Sequence, residues 1–560
     1  MFYTRLKTIR IVYVTAGLLA GLFLVSCERN KSTSPEARQR FEGIIPKPVS
    51  ANMTGNTFTL TEDTKVVTSG SVEGVDNVAR FLIDKLKPAT GFNLEKSSDG
   101  KEGKNSILLS ISKDAELGAE GYELTVSEDQ IKITANSPVG LYWGAQTLRQ
   151  LLPAEIENSK SAANASWEIA TGTIRDYPRY SWRGSMLDVS RHFFGVEDVK
   201  RYIDLISLYK MNVLHLHISD DQGWRIEIKS WPNLANIGGR TQVGGGKGGY
   251  YTQEDYKEIV NYASSRHITI IPEIDMPGHI NAALVSYKEL NPGPSINREP
   301  ASARPNRPVA GQVYTGTEVG FSTLDVRKEV TFKFVNDVLR ELAAITPGPY
   351  LHIGGDEAAV TKKPDYIAFI NRFKDIVKAN GKRMVGWEEI AQGDVDSTVI
   401  VQHWHSQQYA RMAAEKGAKL IFSPAQKVYL DMQYDSTSKL GLHWAAYIEV
   451  DSSYMWDPAT RVDGIDASQI LGVEAPLWSE TVVTMDDIEY LVFPRLPGVA
   501  EIGWSKSDGR DWNEYKVRLA NQAERWDVLD IDYYRSPKVP WDTSVDQQDN
   551  KKDTTSTASK

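Results

Sequence analysis

The chain has 560 residues, a formal net charge of −9 and a pI near 5.7; 41% of its residues are hydrophobic and 24% are charged. This length and composition are ordinary for a soluble protein with more than one domain and a sizeable core. The acidic balance, without a long Lys/Arg run in the body of the chain, argues against nucleic acid as the partner. Aromatic residues are plentiful, with 14 Trp and 25 Tyr.

The N-terminal residues 1–27 predict an export signal. Arg5, Lys7 and Arg10 are followed by a mostly apolar run that ends at Cys27 and is shorter than the roughly 20 residues of a spanning helix. The segment LVSC at 24–27 resembles the lipobox of bacterial lipoproteins, whose cysteine is lipidated and becomes the new N-terminus. A plain signal peptide with an incidental cysteine is the alternative. We expect export and a lipid anchor on Cys27, at the periplasmic face or the cell surface. Since Cys27 is the only cysteine, an internal disulfide is excluded.

The next two segments predict a tether and a small α+β domain. Residues 28–40 are polar and lack periodicity, as expected for a tether. Within residues 41–175, the runs YELTV and IKITA flank a polar SEDQ turn, which predicts a β-hairpin. A helix is then expected from an N-cap at Ser137 to a stop at Pro153. Strands followed by helices favour an α+β domain.

From residue 176 to 505 the pattern changes to strands and amphipathic helices in alternation. Eight short apolar runs stand out: SWRGSMLDVS, MNVLHLHISD, HITIIPEID, PYLHIGGDE, RMVGWEE, TVIVQHW, KLIFSP and GVEAPLWSE. Eight such units predict an α/β fold, a (β/α)8 TIM barrel. A doubly wound sheet is the alternative, but no Gly-rich phosphate loop follows any of these runs. Residues 506–543 predict a C-terminal helical segment, and 544–560 a disordered tail.

The ends of the apolar runs carry polar and aromatic side chains. Barrel enzymes build their sites at the carboxyl ends of the strands, so these side chains should converge on one mouth. A mouth with carboxylates, large flat aromatics and few cations suits a neutral polyhydroxylated ligand. The residues are Arg191, Asp220, Asp221, Asp275, His279, Asp356, Glu357, Trp387, Glu388, Trp404, Trp478 and Glu480.

The adjacent carboxylates Asp356 and Glu357 favour general acid–base catalysis on a glycoside. Cleavage of a glycosidic bond needs a carboxylic acid that protonates the leaving oxygen and a second group that stabilises or traps the cation at the anomeric carbon. Two metal sites are alternatives. The HLH at 215–217 and the HWH at 403–405 have the spacing of barrel metallohydrolases. Against them, the HLH lies inside its run rather than at the tip. A magnesium site on aspartates of successive strand ends would leave the aromatic excess unexplained. We therefore expect no metal and no cofactor.

Seven ordered motifs carry a family resemblance: LDVSRHFF, HLHISDDQGWRIEIKSWPNL, PEIDMPGH, HIGGDE, GWEE, YLDM and EAPLWSE. Together they resemble the family 20 glycoside hydrolases, the β-N-acetylhexosaminidases. The resemblance extends from residues 44–50 to residues 501–504 and so covers both predicted domains. It implies an exo-acting, retaining enzyme with no protein nucleophile, in which the 2-acetamido oxygen of the substrate attacks the anomeric carbon.

The resemblance also implies roles for the carboxylate pair. Glu357 matches the general acid that protonates the leaving oxygen and later activates water. Asp356 matches the carboxylate that orients the acetamido group and must be ionised. Mutual repulsion of the two carboxylates is expected to keep Glu357 protonated and Asp356 ionised near neutral pH.

The remaining matched positions imply a sugar-binding pocket. Arg191 matches the family arginine that binds the C3 and C4 hydroxyls of the sugar. Asp220 and His279 match a pair of residues that supports the general acid through hydrogen bonds. The other matches are the pocket walls Trp387, Trp404 and Trp478, the acetamido-oxygen ligand Tyr429, the C4 and C6 hydroxyl ligands Asp431 and Glu480, and Trp444, which stacks beyond the cleaved bond.

Three functions stay open at this point. The first is an exo-acting β-N-acetylhexosaminidase acting on terminal GlcNAc or GalNAc of a carbohydrate substrate. The second is an enzyme of the same fold that releases a disaccharide or prefers a sulfated hexosamine, with the insertion at 291–321 shaping the far side of the mouth. The third is a glycan-binding lipoprotein without catalysis. The natural glycan and the oligomeric state do not follow from the sequence.

Overall fold

The computed structural model describes residues 32–69, 72–97, 103–162, 164–292 and 311–541. The predicted export signal with Cys27, the predicted tail at 544–560 and most of the predicted insertion lie outside the described residues. Within the described ranges, no helix combines the length and the apolar character that crossing a membrane requires.

The strands and helices follow one another in two blocks, an N-terminal sheet and a barrel. The strands are β1 (Ser50–Thr59), β2 (Lys65–Ser69), β3 (Lys96–Ser97), β4 (Ser106–Ile111), β5 (Tyr122–Val126), β6 (Gln130–Ala135), β7 (Glu168–Asp176), β8 (Trp182–Asp188), β9 (Val213–His217), β10 (Thr269–Glu273), β11 (Tyr350–His352), β12 (Arg383–Trp387), β13 (Ile400–His403), β14 (Lys419–Phe422) and β15 (Ile470–Leu477). The α-helices are α1 (Pro35–Glu42), α2 (Val75–Thr90), α3 (Pro138–Leu151), α4 (Val196–Leu208), α5 (Gln253–Ser265), α6 (Asn281–Ser286), α7 (Glu329–Ile345), α8 (Lys363–Ala379), α9 (Gln407–Glu415), α10 (Ala425–Val428), α11 (Val450–Tyr454), α12 (Met485–Val492), α13 (Arg495–Trp504), α14 (Trp512–Ala520) and α15 (Ala523–Val528).

The N-terminal sheet has the strand order β1-β7-β5-β6-β4-β2-β3. The predicted hairpin is confirmed, because β5 and β6 pair antiparallel. In β5, buried residues alternate with half-exposed ones, so one face of the sheet packs on helices and the other meets water. The predicted helix is also confirmed as α3, where the Ser137 hydroxyl accepts hydrogen bonds from the backbone N–H groups of Val139 and Gly140.

The predicted tether is wrong over its second half. Residues from Pro35 onward form helix α1, which is capped by the Ser34 side chain and buries Ala37 and Phe41. The segment looked structureless because only these two apolar residues face the core. They lie four positions apart, which places both on one side of a helix, and the polar residues between them face outward.

All eight apolar runs predicted as barrel strands are strands β8 to β15, and these close into a parallel barrel. The predicted α/β fold, a TIM barrel preceded by an α+β domain, is confirmed. One connection departs from the regular alternation, since a single short turn of helix at Glu388–Gln392 links β12 to β13. The predicted division between the domains, at 175/176, falls at the last residue of β7.

The N-terminal domain meets the barrel at the amino ends of the strands, opposite the mouth. Lys210, just before β9, donates hydrogen bonds to Asp176 Oδ2 (2.8 Å) and to the Tyr122 hydroxyl (2.9 Å). The Trp504 indole N–H donates to Asp176 Oδ1 (2.8 Å). The C-terminal segment returns to the same domain through Arg525. Attached at the floor, the N-terminal domain leaves the mouth open for a ligand.

Candidate active site

The two adjacent carboxylates share the mouth because regular strand geometry ends before them. Strand β11 stops at His352, and the backbone then takes positive φ angles at Gly354 (65°), Gly355 (99°) and Glu357 (41°). A Cβ atom at Gly354 would lie 1.8 Å from Asp275 Oδ1, so only glycine fits there. The positive φ angle at Glu357 is uncommon for a residue with a side chain, and such strain is typical of functional sites. Both carboxylates line a cavity of about 190 Å³.

His279 lies behind the carboxylate pair and contacts both members. Its Nε2 atom is 3.4 Å from Glu357 Oε2 and 3.8 Å from Asp356 Oδ2. Its Nδ1 atom is 3.2 Å from Asp220 Oδ1. Burial disfavours a charged imidazole, but Asp220 and Asp356 raise the pKa of His279 well above its usual range. The sequence-predicted support of the acid by Asp220 and His279 therefore has a direct geometric basis.

Asp220 is held as an anion from three sides. Arg191 Nη2 lies 2.9 Å from its Oδ2, and His217 Nε2 lies 2.8 Å from the same oxygen. Burial opposes ionisation, but Arg191 and His279 hold the pKa of Asp220 well below its usual range. With an exposed fraction of 1%, Asp220 lies one layer beneath the cavity. It acts on Glu357 through His279.

The protonated state predicted for Glu357 does not agree with its surroundings in the free protein. Burial raises the pKa of Asp356, and the charge of His279 offsets this only in part. Burial also acts on Glu357, but the hydrogen bond and the charge of His279 outweigh it and lower the pKa of Glu357. The prediction relied on repulsion between the two carboxylates. In the structure, the close approach of His279 to Glu357 opposes protonation of Glu357, and the state of the more deeply buried Asp356 depends on its neighbour Asp275.

Asp275 supplies the partner that Asp356 needs. Its Oδ1 atom accepts the backbone N–H of Gly355 at 2.9 Å, which fixes the carboxyl directly behind the Asp356 turn. Burial and the charge of Asp356 raise the pKa of Asp275 well above its usual range. A proton shared by these two neighbouring carboxyls thus belongs on Asp275, and Asp356 is left ionised.

The far end of the cavity presents acceptors and one donor. Neither oxygen of Asp431, nor Oε2 of Glu480, nor Oδ1 of Asp356 has a hydrogen-bond partner among the described residues, although all four atoms are buried. Arg191 lines the same cavity, with its guanidinium carbon 4.8 Å from the centre of the Trp478 ring. Buried polar atoms are normally paired, so these unpaired ones are suited to ligand hydroxyls.

Aromatic rings form the remaining walls. Tyr429 and Trp404 stack with their planes 19° apart, and Trp444 meets both edge-on at 6.0 Å. Trp444 is 54% exposed and stands at the rim. Trp387 is only 1% exposed and lies behind Trp478, with ring centres 5.8 Å apart, so it supports the wall rather than lining it. Thus ten of the twelve residues predicted for the pocket line the cavity, and Asp220 and Trp387 lie beneath it.

The sequence reasoning missed several residues of the site. Thr317, Val319 and Leu442 also line the cavity. The first two belong to the predicted insertion, which was expected at the mouth but offered no motif for single residues. Glu389 was missed as well; its Oε2 accepts the indole N–H of Trp404 at 3.2 Å and so orients that wall. Its neighbour Glu388, read from sequence as a mouth residue, instead accepts backbone N–H groups after β13.

Comparisons with known proteins agree with this arrangement. The family model "Glycosyl hydrolase family 20, catalytic domain" matches residues 180–507, and the model of domain 2 of the same family matches residues 42–177. A β-N-acetylhexosaminidase of Cellulomonas fimi is 38% identical over 502 residues, which cover 89% of this chain and 97% of that protein. The chain belongs to glycoside hydrolase family 20. The predicted resemblance is therefore confirmed, and the chain is a glycoside hydrolase.

Solved structures of family 20 share both domains with this chain. A β-N-acetylhexosaminidase of Streptomyces coelicolor is 50% identical, with a TM-score of 0.83 over 90% of this chain and 99% of that chain. A mutant β-hexosaminidase of Streptomyces plicatus, solved in complex with the product GlcNAc, is also 50% identical, with a TM-score of 0.83 over 90% and 98% of the two chains. These similarities extend over the whole described fold.

Three groups of potential ligating side chains occur in this family 20 chain within the described residues: His215, Glu273 and His352; Asp220, Asp221 and His279; and Asp275, His279 and Asp356. In the first group, both histidines approach the carboxylate of Glu273, with Nδ1 of His352 3.1 Å from its Oε1. In the other two, His279 already engages the carboxylates. These contacts account for the groups as acid–imidazole networks, and we assign no metal to them.

Proposed function

We propose that this family 20 enzyme is an exo-acting β-N-acetylhexosaminidase that hydrolyses terminal β-linked GlcNAc or GalNAc with retention of configuration. One observation carries the proposal. Asp356 and Glu357 stand side by side at the mouth, but their neighbours differ: His279 lies nearer to Glu357 (3.4 Å), and the Asp275 carboxyl lies within 4.8 Å of Asp356. The names of the relatives from Cellulomonas fimi and Streptomyces coelicolor support the same activity.

The different partners suit the two carboxylates to different tasks. Asp356, kept ionised by Asp275, can accept the N–H of a 2-acetamido group and stabilise the positive charge that develops there when the acetamido oxygen attacks the anomeric carbon. Tyr429 lines the same cavity, and its hydroxyl can bind the acetamido oxygen. The nucleophile then comes from the substrate, which is the established exception to the two-carboxylate scheme.

The proton for the leaving oxygen is stored on His279 in the free enzyme. The side chain of Glu357 is 37% exposed, so a bound sugar would remove water from it, and loss of water raises the pKa of a carboxyl group. The protonated His279, 3.4 Å away, can then supply the proton that Glu357 passes to the leaving oxygen. After departure of the aglycone, Glu357 takes a proton from the attacking water.

The shape of the cavity favours exo-action. A volume of about 190 Å³ lies below the range of roughly 300–1,000 Å³ that holds drug-sized ligands. It therefore suits a single sugar ring rather than a chain passing through. Arg191, Asp431 and Glu480 line it with buried polar atoms, which can bind the hydroxyls of a non-reducing terminal residue. Glu357 and Trp444 lie towards the opening, where the rest of the glycan would stand.

Two matched aryl glycosides test the proposal. The aryl N-acetyl-β-glucosaminide should be hydrolysed, and the matching aryl β-glucoside, which differs only by lacking the acetamido group, should be essentially inert. The corresponding GalNAc glycoside measures the preference at C4. Comparable rates on the glucosaminide and the glucoside would exclude assistance by the substrate, and no hydrolysis of either N-acetyl sugar would exclude the activity itself.

We further propose that the enzyme is exported and attached to the cell envelope by a lipid on Cys27, which lies outside the described residues. The LVSC sequence and the preceding basic and apolar segments support this. In membrane fractionation, the wild-type protein should require detergent for release, and the variant Cys27→Ala should not. Detergent-free solubility of the wild type, unchanged by that substitution, would contradict the anchor.

A further inference from the structure

Glu273 is a fully buried carboxylate at the end of β10, beneath the mouth, with no solvent exposure. Both carboxylate oxygens have partners. Two of these partners begin different paths, each a series of contacting residues that leads to the cavity. Oε2 lies 2.5 Å from Nδ1 of His217, and Oε1 accepts the indole N–H of Trp387 at 2.8 Å. His215 Nε2 also lies 3.0 Å from Oε2, and His352 Nδ1 lies 3.1 Å from Oε1. A buried carboxylate is costly unless it is paired in this way, and removing either kind of contact leaves a polar atom unsatisfied.

The first path leads to the general acid. From Glu273 it passes through His217 to Asp220 (2.8 Å), then to His279 (3.2 Å) and Glu357 (3.4 Å). Carboxylates and imidazoles alternate at every step. His217 stands between two carboxylates, and donating to both requires hydrogens on both ring nitrogens. Although burial disfavours its charge, Glu273 and Asp220 raise the pKa of His217 to about 10.

The second path leads to the sugar-binding wall. Trp387, fixed by its N–H bond to Glu273, packs against Trp478 with ring centres 5.8 Å apart. Trp478 lines the cavity and carries the guanidinium of Arg191 on its face. One carboxylate therefore touches both the residue chain behind the acid and the aromatic layer behind the sugar.

A carboxylate is required in this place because both neighbours donate. An amide in its position would have one oxygen and one NH2 group, so it would face either His217 or Trp387 with a donor. Where the NH2 group faces His217, the ring relieves the conflict by losing the Nδ1 proton, and with it the positive charge beside Asp220. Where the amide oxygen faces His217, the ring still loses the neighbouring negative charge that stabilises its imidazolium. The shape of the core would be preserved, and the charge pattern along the first path would change.

We propose that Glu273 is a positioning residue that holds His217 as an imidazolium and thereby sets the acid strength of Glu357. The inference rests on the proposed function, since it concerns protonation of the leaving group. Glu273 does not contact the cavity; its effect on the acid passes through His217, Asp220 and His279, whereas the path through Trp387 reaches only the sugar-binding wall. Similar outer contacts in other enzymes commonly change activity by about 10-fold to 100-fold.

The test is the leaving-group dependence of Glu273→Gln. Acid catalysis matters most for a poor leaving group, because a strongly acidic phenol departs without protonation. For the phenyl N-acetyl-β-glucosaminide we expect kcat/KM to fall by about 10-fold or more. For the 2,4-dinitrophenyl glycoside we expect a change within about twofold, because that step does not need the acid. A loss that is equal for both substrates would overturn the proposal, because general damage to the core does not depend on the leaving group.

Glu474→Gln is the matched control. Glu474 is an equally buried carboxylate in the same barrel, where it contacts His215, Gln402 and Trp182, but neither His217 nor Trp387. It shares His215 with Glu273, so it also controls for loss of a charge beside that histidine. We expect this variant to keep the wild-type leaving-group dependence. If it changes that dependence as much as Glu273→Gln does, the effect belongs to the barrel's charge as a whole and the proposal is overturned. An inactive wild type would instead contradict the proposed function.

Nitrogen NMR of the histidine rings provides a second test that does not depend on a variant folding. The chain has nine histidines, few enough for ring assignment by single substitution. In the wild-type enzyme at pH 7, both ring nitrogens of His217 should carry hydrogen, and in folded Glu273→Gln the Nδ1 hydrogen should be lost. A neutral His217 ring in the wild type at pH 7 would refute the proposal.

Discussion

Two regions of this enzyme bury charge, and they do so in opposite ways. At the floor junction, formed by Tyr122, Asp176, Lys210 and Trp504, every charged atom of Asp176 and Lys210 has a hydrogen-bond partner. At the mouth, buried oxygens of Asp356, Asp431 and Glu480 have no partner within the described ranges.

The difference shows what each region does. A satisfied buried ion pair holds two domains in one arrangement, since separating the charges would leave each of them unpaired. Unsatisfied buried acceptors weaken the folded protein and have to be explained by something other than stability. At the mouth that explanation is a polyhydroxylated ligand, whose hydroxyl groups are donors. Substitutions in the two regions should therefore separate stability from activity.

The largest effect is expected at the mouth, on activity alone. Glu357→Gln and Asp356→Asn should each lower kcat/KM for an aryl N-acetyl-β-glucosaminide by ~10² or more, through loss of the acid or of charge stabilisation. The thermal midpoint should stay close to that of the wild type, because neither substitution opens a cavity. Steady-state kinetics and thermal melts on the same preparations measure both quantities. Near wild-type turnover in both variants would contradict the assigned roles.

The next effect is expected at the floor junction, on stability alone. Lys210→Met leaves Asp176 as a buried carboxylate without its cation, which should destabilise the fold by about 3–5 kcal/mol. The kcat of the protein that remains folded should be unchanged, because Lys210 lies at the opposite end of the barrel. Thermal unfolding and active-site-normalised kinetics are the measurements.

Asp431→Asn provides the matched substitution at the mouth for this comparison. It replaces a buried carboxyl whose oxygens have no hydrogen-bond partner among the described residues, and burial together with the charge of Glu480 raises the pKa of Asp431 well above its usual range. The substitution should therefore cost no stability and should impair sugar binding. A lower thermal midpoint for Asp431→Asn than for Lys210→Met would invalidate the contrast between satisfied and unsatisfied charge.

The smallest effect is a difference in pH dependence. Both oxygens of Glu157 lie 2.5 Å from arginine nitrogens, one from Arg149 and one from Arg525. Burial opposes its ionisation, but the two arginines lower the pKa of Glu157 to about 2. Its stabilising contribution is therefore present above pH 4.5 and is lost as the pH falls towards 2.

Burial and the charge of Asp220 instead raise the pKa of Asp221 to about 6. The contribution of Asp221 to the stability of the fold is therefore fully present below pH 3.8 and is lost as the pH rises through 6.

Thermal melts between pH 3 and 8 distinguish the two signs. Glu157→Gln should be less stable than the wild type at pH 7 by about 3 kcal/mol, and the gap should narrow in acid. As the pH rises from 4 to 7, the free energy of unfolding of Asp221→Asn should increase relative to that of the wild type by up to about 3 kcal/mol. If the two variants follow parallel pH profiles, the assignment of satisfied and unsatisfied carboxylates is wrong.

Much of the fold could be predicted from local patterns. The alternation of YELTV and IKITA, the cap at Ser137 and the eight apolar runs each depend on neighbouring residues, and each element formed where its pattern placed it. The segment before residue 41 failed because helix α1 depends on packing of Ala37 and Phe41 against distant parts of the chain. Two apolar residues among polar ones give too weak a signal for a helix.

The sequence predicted which residues form the site better than it predicted their protonation states. The motifs named Asp356, Glu357 and His279, and the structure brings the three together. Which carboxylate holds the proton depended on Asp275, 80 residues before Gly355 in the chain, and on the depth of burial at each position. Neither quantity can be read from adjacency in the sequence.

By itself, the sequence determined the order of the elements, the barrel, the family and the residues that face the mouth. These follow from local periodicity and from motifs at strand ends. The tertiary structure alone decided which groups are protonated, which polar atoms lack partners, and that Glu273 connects the acid to the sugar-binding wall. The physical reason is that pKa values and hydrogen-bond satisfaction depend on distances and burial between residues far apart in the chain, and those distances exist only after folding.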